Sequence, residues 1–579
     1  MKTSPLAFFH SRCFRLGSAA AAVAVVVAAL LCAHAGSQSG STANAGQPVI
    51  QGGSRPAPSY GTGAPAPPQL RQAMKNPDYS AAGVIDGKAG FWVTGQGGSL
   101  PDHALYNDST GALGVVNLRG PIATEGHPFF TPLGKNGRAC VSCHQPANGM
   151  SISVATLEWR WAETKGRDPV FAAVDGSNCP NLPQAVASSH SLLLQHGLFR
   201  IFLPWPPKAL DGSAMDPEFT IEVVRDPTGC NTSKEFGLNS AHPMVSVFRR
   251  PRIVANLKYV MAPFGMWSPK TGEVLPVDPA TGQRLNLNLM TDNRFPTLEA
   301  QATDAALTHE QADAKPDAAI LRRIVDFEMQ IYAAQSLDAR GGDLTGGSIK
   351  AGPQALIDGR PAVLGSHIGD FPELDGWMTS DAIGRPKWDR NTPPETFRAH
   401  RPGEEQETAA QKKFRDSVAR GYEIFMQRDI LIRNVSNYNT IGLGNPYKQP
   451  CANCHNAQRT GMDSSPGFMD LGTTNLPTAD PLPWLPLFKL VCKPWATPHP
   501  FLGRVVYTHD PGRALITGKC VDIGSINMQQ FRGLASRAPY FSNGSAKTIR
   551  DIVVYYNKRF TMGYTEQDIE DMTNFLSVL

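Results

Sequence analysis

Beyond its first 35 residues the sequence has no long uncharged apolar run, no marked excess of charge of either sign, and no short-period repeat. The first absence excludes a membrane-spanning helix from the rest of the chain. The second argues against nucleic acid as a general partner, because 54 Lys and Arg against 50 Asp and Glu leave a formal charge of only +4. Cysteine is also scarce, ten in 579 residues, so the placement of each one carries information.

The amino terminus carries Lys2, Arg12 and Arg15, then an Ala/Val/Leu run from Ala19 to Leu31, then Ala33-His34-Ala35. That order of charge, short apolar stretch and small-x-small site is that of a cleaved signal peptide, so residues 1–35 are expected to be removed on export to the periplasm. A lipid anchor on Cys32 is the competing reading, disfavoured by Leu31 where a small residue should stand. Export lowers the formal charge to +1 and removes Cys13 and Cys32. Four of the eight remaining cysteines form Cys140-Val-Ser-Cys143-His144 and Cys451-Ala-Asn-Cys454-His455. The other four fall as one pair in each half, Cys179 with Cys230 and Cys492 with Cys520. In an oxidising compartment these read as disulfides, with four isolated buried thiols as the alternative.

Residues 36–75 are Gly, Ser, Ala and Pro with few apolar anchors and read as a flexible tether. A first unit is expected over residues 76–337, closing in a helix on which Ile320, Ile324, Phe327 and Ile331 recur behind Pro316-Asp317. Residues 338–407, rich in Gly, Pro and Asp, read as a connector. A second unit over 408–579 opens on a helix bearing Phe414, Val418, Tyr422 and Phe425. It closes on helices over 548–557 and 565–576, the last with Thr565 and Asp568 as a capping box.

In Cys-x-x-Cys-His two thiols one helical turn apart add to the vinyl groups of a haem, and the adjacent imidazole reaches the iron. A redox dithiol and half of a zinc site are the alternatives. Chance would place only about 0.004 such pentapeptides in a chain of this composition. Two in one exported chain therefore point to two covalently bound haems c.

Around these motifs the chain resembles the bacterial di-haem cytochrome c peroxidases and their relatives, the di-haem maturase of a tryptophan-derived cofactor and, more distantly, the rubber oxygenases. The resemblance rests on Phe129-Phe130-Thr131-Pro132-Leu133 before the first motif, Arg249-Arg250-Pro251 to Asn256, Thr291-Asp292-Asn293-Arg294 with Leu298 and Gln301, and Phe531-Arg532-Gly533 through Ala538-Pro539-Tyr540-Phe541-Ser542-Asn543-Gly544-Ser545. It implies a mainly α fold of two cytochrome c-type haem domains packed around an inter-domain interface, with long loops. It further implies a peroxide-reactive first haem, an electron-transfer second haem, and a calcium ion between the domains.

Three positions depart from the family pattern. Thr291 stands where the family carries an inter-haem tryptophan, and Trp267, in an insertion, is either a substitute or a packing residue. The family's distal glutamate slot falls near Gln311, so His309 and Glu310, with Gln301, are the candidate distal groups; a helix-surface role for His309 and Glu310 is the alternative. A peroxidase needs such a base and such polar groups to move a proton between peroxide oxygens. The family's axial methionine slot on the second haem is Tyr556, with Met562 six residues on as the alternative ligand. Arg532 and Arg513 are candidate partners of a haem propionate. The remaining histidines, His127, His190, His196, His242, His367, His400, His499 and His509, are scattered singly and read as structural.

The reading is an exported di-haem oxidoreductase with His144 and His455 as proximal ligands. It would react with hydrogen peroxide or dioxygen and draw electrons from a small cytochrome, a cupredoxin or an organic reductant. A non-enzymatic electron-transfer cytochrome and a dioxygenase of apolar alkenes are the competing functions.

Overall fold

The computed structural model describes residues 90–209, 212–261, 286, 288–344, 351–358, 408–455, 460 and 468–579. The signal sequence, the tether, Trp267, His367, His400 and most of the expected connector lie outside the described residues. None of the described helices is long and apolar enough to cross a membrane.

Strands His103–Asn107, Gly111–Asn117, Ile331–Asp338 and Gly342–Asp343 form one antiparallel sheet in that order. Its two middle long strands are buried along their whole length. Asp108 sets the turn between the first two by accepting the Thr110 and Gly111 amides, both at 2.9 Å. A second four-stranded sheet runs Asn475–Leu476, Val505–Thr508, Leu487–Cys492, Phe219–Arg225. There Phe219, Ile221 and Val223 alternate inward on one strand, and Phe488 and Leu490 inward on its partner. A strand from the first half of the chain thus pairs with one from the second, Cys492 opposite Phe219. Strands Phe199–Pro204 and Met244–Arg249 make a further antiparallel pair.

Beside the helix Val154–Thr164, five described helices of similar or greater length complete the frame: α1 (Leu298–Thr308), α2 (Ala318–Glu328), α3 (Ala409–Gln427), α4 (Ile549–Phe560) and α5 (Glu566–Ser577). Helices α3 and α5 approach closely because position 421 is glycine; a Cβ there would lie 2.1 Å from the Asp571 carbonyl oxygen. Asp571 in turn accepts from Arg420 Nε and Nη2, both at 2.8 Å, and from the Ser417 hydroxyl. The capping box expected at the start of α5 is present, Thr565 with Asp568.

The expectation of a mainly α fold is overturned: the described residues are 31% helix and 19% strand, with several antiparallel sheets. The strands occupy stretches such as Phe219–Arg225 and Leu487–Cys492, whose period-2 alternation becomes meaningful only once distant partners pair. Likewise the helical repeat through Ile320, Ile324 and Phe327 stops at Glu328, and Ile331 opens a strand. The four non-motif cysteines lie at disulfide distance as expected. Cα separations are 5.2 Å for Cys179–Cys230 and 6.1 Å for Cys492–Cys520.

Phe327 packs its ring on Phe129 (centroids 4.4 Å) and Phe130 (5.2 Å) beneath the first motif and is fully buried. Phe327→Ala is expected to lower stability by about 3–5 kcal/mol, measured as a loss of unfolding free energy in urea.

Candidate active site in two adjoining cavities

The first motif begins in a 3₁₀ turn, Cys140–Ser142, and the His144 amide donates to the Cys140 carbonyl at 3.0 Å. Gly149 and Met150 both adopt left-handed backbone angles, φ 63° and 61°, and return the chain so that the Met150 carbonyl faces His144. His144 Nδ1 donates to that carbonyl at 3.0 Å in the tautomer that leaves Nε2 as the basic nitrogen. Cys140, Cys143 and His144 line a cavity of about 180 Å³. Burial pushes the Cys143 thiol up to about 12, and Cys140 also lies well above its ordinary value. A redox dithiol depends on the opposite shift, toward thiolate.

Helix α1 supplies the facing wall. Its N-cap, Thr297, accepts the Ala300 amide at 3.2 Å. Gln301, Ala305 and His309 then recur at intervals of four and present one helical face to the cavity. His309 Nδ1 is paired with Asp175, which is itself paired with Arg138; Arg138 and Asp175 are both 1% exposed. Arg138 and the His309 hydrogen bond hold the Asp175 carboxyl below its ordinary value despite burial. Gln311, at φ 57°, breaks the helix and turns Glu310 inward. Glu310 accepts the Leu133 amide at 2.9 Å and lies 3.6 Å from Cys140 Sγ, and burial raises its carboxyl to about 7. Gln301, His309 and Glu310 therefore all reach the same cavity as the first motif, with Glu310 at its Cys140 edge.

The second motif forms the short helix Cys451–Cys454, with the His455 amide donating to Cys451 at 3.0 Å. It lines a second cavity of about 180 Å³. Gln449 Nε2 lies 3.1 Å from Cys454 Sγ, and burial raises the Cys451 thiol to about 11. Tyr556, on α4, faces this cavity with its ring centroid 6.4 Å from that of His455. Helix α4 stops at Thr561, φ 52°, and the Met562 amide folds back to the Asn557 carbonyl at 3.1 Å, so Met562 lines the cavity too. Both ligand candidates reach the site.

Arg250, Pro251, Gln529 and Gln530 line both cavities and form the wall between them. Thr291 lines the first cavity, and its carbonyl accepts from the amide of Asn527, which lines the second, at 2.7 Å. A backbone hydrogen bond thus lies at Thr291, the position that the resemblance sets against a tryptophan. Neither Arg532 nor Arg513 lines a cavity. Arg532 lies over the Phe531 ring, and Arg513 stacks on Phe468 while donating to the Asp292 carbonyl at 3.2 Å. Of the scattered histidines, His190 meets two backbone carbonyls, and His509 accepts the Leu482 amide at 3.1 Å. Among the described residues no three His, Cys, Asp or Glu side chains are placed to hold a metal ion, such as the calcium the resemblance implies.

Sequence reasoning missed Asp175, Arg138 and Glu328. Glu328, 4% exposed, lines the first cavity with its Oε2 unpartnered. Nothing near Asp175 in the chain signals its role, because its partners lie 37 and 134 residues away. Compared with protein-family models and with curated proteins, the chain matches none.

Two outcomes follow from these buried charges. Asp175→Ala strands the Arg138 guanidinium and is expected to cost about 3–5 kcal/mol, read from urea unfolding. Burial, reinforced by Glu299, raises the Glu328 carboxyl from 4.5 to about 8. The folded chain holds that proton more tightly than the unfolded one. Its contribution is therefore fully present below pH 4.5 and is lost as pH rises toward 8. Glu328→Gln is expected to flatten that decline, measured by unfolding across the same pH window.

Proposed function

We propose that the chain is an exported di-haem c oxidoreductase of the peroxidase and maturase kind. The cavity at Cys140, Cys143 and His144 is the reactive centre, and the cavity at Cys451, Cys454 and His455 is the electron relay. One observation carries the reading: a Cys-x-x-Cys-His motif and the Gln301–His309 face of α1 meet in a single cavity. The donor set fits a haem c in each cavity. Paired thiols of each motif line their cavity, as thioether formation requires, and His144 has its Nδ1 tied down and its Nε2 left for iron. When bound, each haem supplies a redox-active iron, with His144 or His455 as its proximal ligand.

The chain's own residues then manage protons and access. Asp175 holds His309 Nδ1, which leaves Nε2 as the nitrogen that would move a proton between the oxygens of a peroxide in this cavity. Gln301 offers an amide donor beside that oxygen. In the second cavity Tyr556, its ring centroid 6.4 Å from that of His455, would be a further residue to hold the haem, with Met562 as the alternative. Hydrogen peroxide or dioxygen is the oxidant. Electrons come from a small cytochrome, a cupredoxin or an organic reductant in the periplasm.

A second reading is favoured by the side wall of the first cavity. Ile253, Val254, Leu257, Val260, Leu289 and Leu298 line it. That lining suits an apolar organic substrate attacked by dioxygen.

His309→Ala in the haem-loaded protein is expected to slow the reaction with stoichiometric peroxide by about 10²–10⁴-fold, followed by stopped-flow absorbance. An unchanged rate contradicts the peroxidase reading. Consumption of dioxygen with an apolar alkene by that same variant would favour the oxygenase.

A further inference from the structure

The wall between the two cavities carries three guanidinium groups that the mechanism above does not use. Arg250 lines both cavities, Arg252 the first and Arg537 the second. Arg250 and Arg537 are 5% and 6% exposed, and Arg252 is partly buried. Their hydrogen bonds among the described residues go to backbone carbonyls. Arg250 donates to Gly197 at 2.9 Å, to Arg537 at 3.0 Å and to Ile152. Arg252 donates to Asn527 at 3.1 Å and Met528 at 2.5 Å, and Arg537 to Gln530 at 2.6 Å.

The acidic groups nearby are engaged elsewhere. Asp292 pairs with Arg249 and Arg294, and Asp510 pairs with Arg249. Tyr540 spends its hydroxyl on the Leu534 carbonyl at 2.7 Å. Burial accordingly holds Arg250 and Arg252 down to about 9 and Arg537 to about 10, and among the described residues none of the three guanidinium groups has an ion-paired carboxylate. A buried cation without an anion costs several kcal/mol, roughly, and such a group is retained where a ligand completes it. Room is reserved for one of them: a Cβ at position 197 would fall 1.7 Å from Arg250 Nη1, and Gly197 also has φ +63°.

We infer that Arg250, Arg252 and Arg537 form one carboxylate-binding wall that receives propionates from both haems, Arg250 being shared. This rests on the di-haem reading proposed above. Haem c carries its thioether links on one edge and its carboxylates on the other. The two cofactors would therefore turn their propionate edges toward each other across Arg250 and Pro251. The wall takes the anchoring role expected of Arg513 and Arg532, and it couples the sites through charge where the family has a tryptophan.

The test is spectroelectrochemical titration of the protein with its haems attached, resolving the two midpoint potentials. A fixed cation favours the reduced haem, so its loss lowers the potential. Arg252→Gln is expected to lower the first haem's potential alone, Arg537→Gln the second's alone, and Arg250→Gln both. Arg250→Lys, which keeps the charge, is expected to leave both near wild type and covers the case in which the glutamine variant does not fold. Arg225→Gln, outside both cavities, serves as the control. Two attached haems with potentials that ignore Arg250→Gln, or respond equally to Arg225→Gln, would overturn the shared wall and leave the di-haem reading intact. Wild-type protein whose intact mass shows no attached haem would overturn both.

Discussion

Arg249 is the constraint on which the rest of the arrangement depends. It is 2% exposed, donates Nε and Nη2 to Asp510 at 2.6 and 2.9 Å, and donates Nη1 to Asp292 at 2.5 Å. Asp292 is held at about 2 by the cations around it. One guanidinium thus joins the end of strand Met244–Arg249, the segment that precedes α1, and a turn more than 200 residues further on. Removing one member of such a buried pair costs about 3–5 kcal/mol, because the charge left behind has no solvent. The fork geometry of arginine suits this bridge, and lysine would satisfy only one arm.

That pin fixes everything adjacent to it. The residues after Arg249 are Arg250, Pro251 and Arg252, the run that lines the cavities. The segment around Asp292 leads into α1, and so sets the height at which Gln301 and His309 face the first motif. The two cavities come out chemically unequal. The first has a helical face bearing an amide and a histidine held by a buried aspartate. The second has an aromatic box of Phe425, Phe531 and Tyr556 around His455. A reactive centre needs a group that moves protons, while a relay needs a rigid, dry ligand cage. The proposed division of labour rests on those surroundings and not on the motifs themselves.

The legible part of the site was the part encoded by local spacing. Each Cys-x-x-Cys-His motif is a single turn, and Gln301 and His309 lie eight residues apart on one helix face. The amphipathic repeat of α3 and the capping box of α5 were readable for the same reason. What remained hidden depends on contacts between distant stretches. Strand Phe219–Arg225 gains its meaning from Leu487–Cys492, so a helical reading of the whole chain overlooked the sheets. Asp175 and His309 meet across 134 residues, and Arg250 meets the Arg537 carbonyl across 287. The propionate role was attached to Arg513 and Arg532 because they stand near recognisable segments. Arg513 stacks on Phe468 and Arg532 lies over Phe531, and neither lines a cavity.

The central claim is that both Cys-x-x-Cys-His motifs carry covalent haem. Intact mass, with the pyridine haemochrome spectrum, of protein produced where cytochrome c maturation is active tests it most directly. The account predicts two haems per chain, falling to one when Cys140 and Cys143, or Cys451 and Cys454, are replaced by serine. A chain that carries no haem, or that binds zinc through the same four thiols, would contradict it.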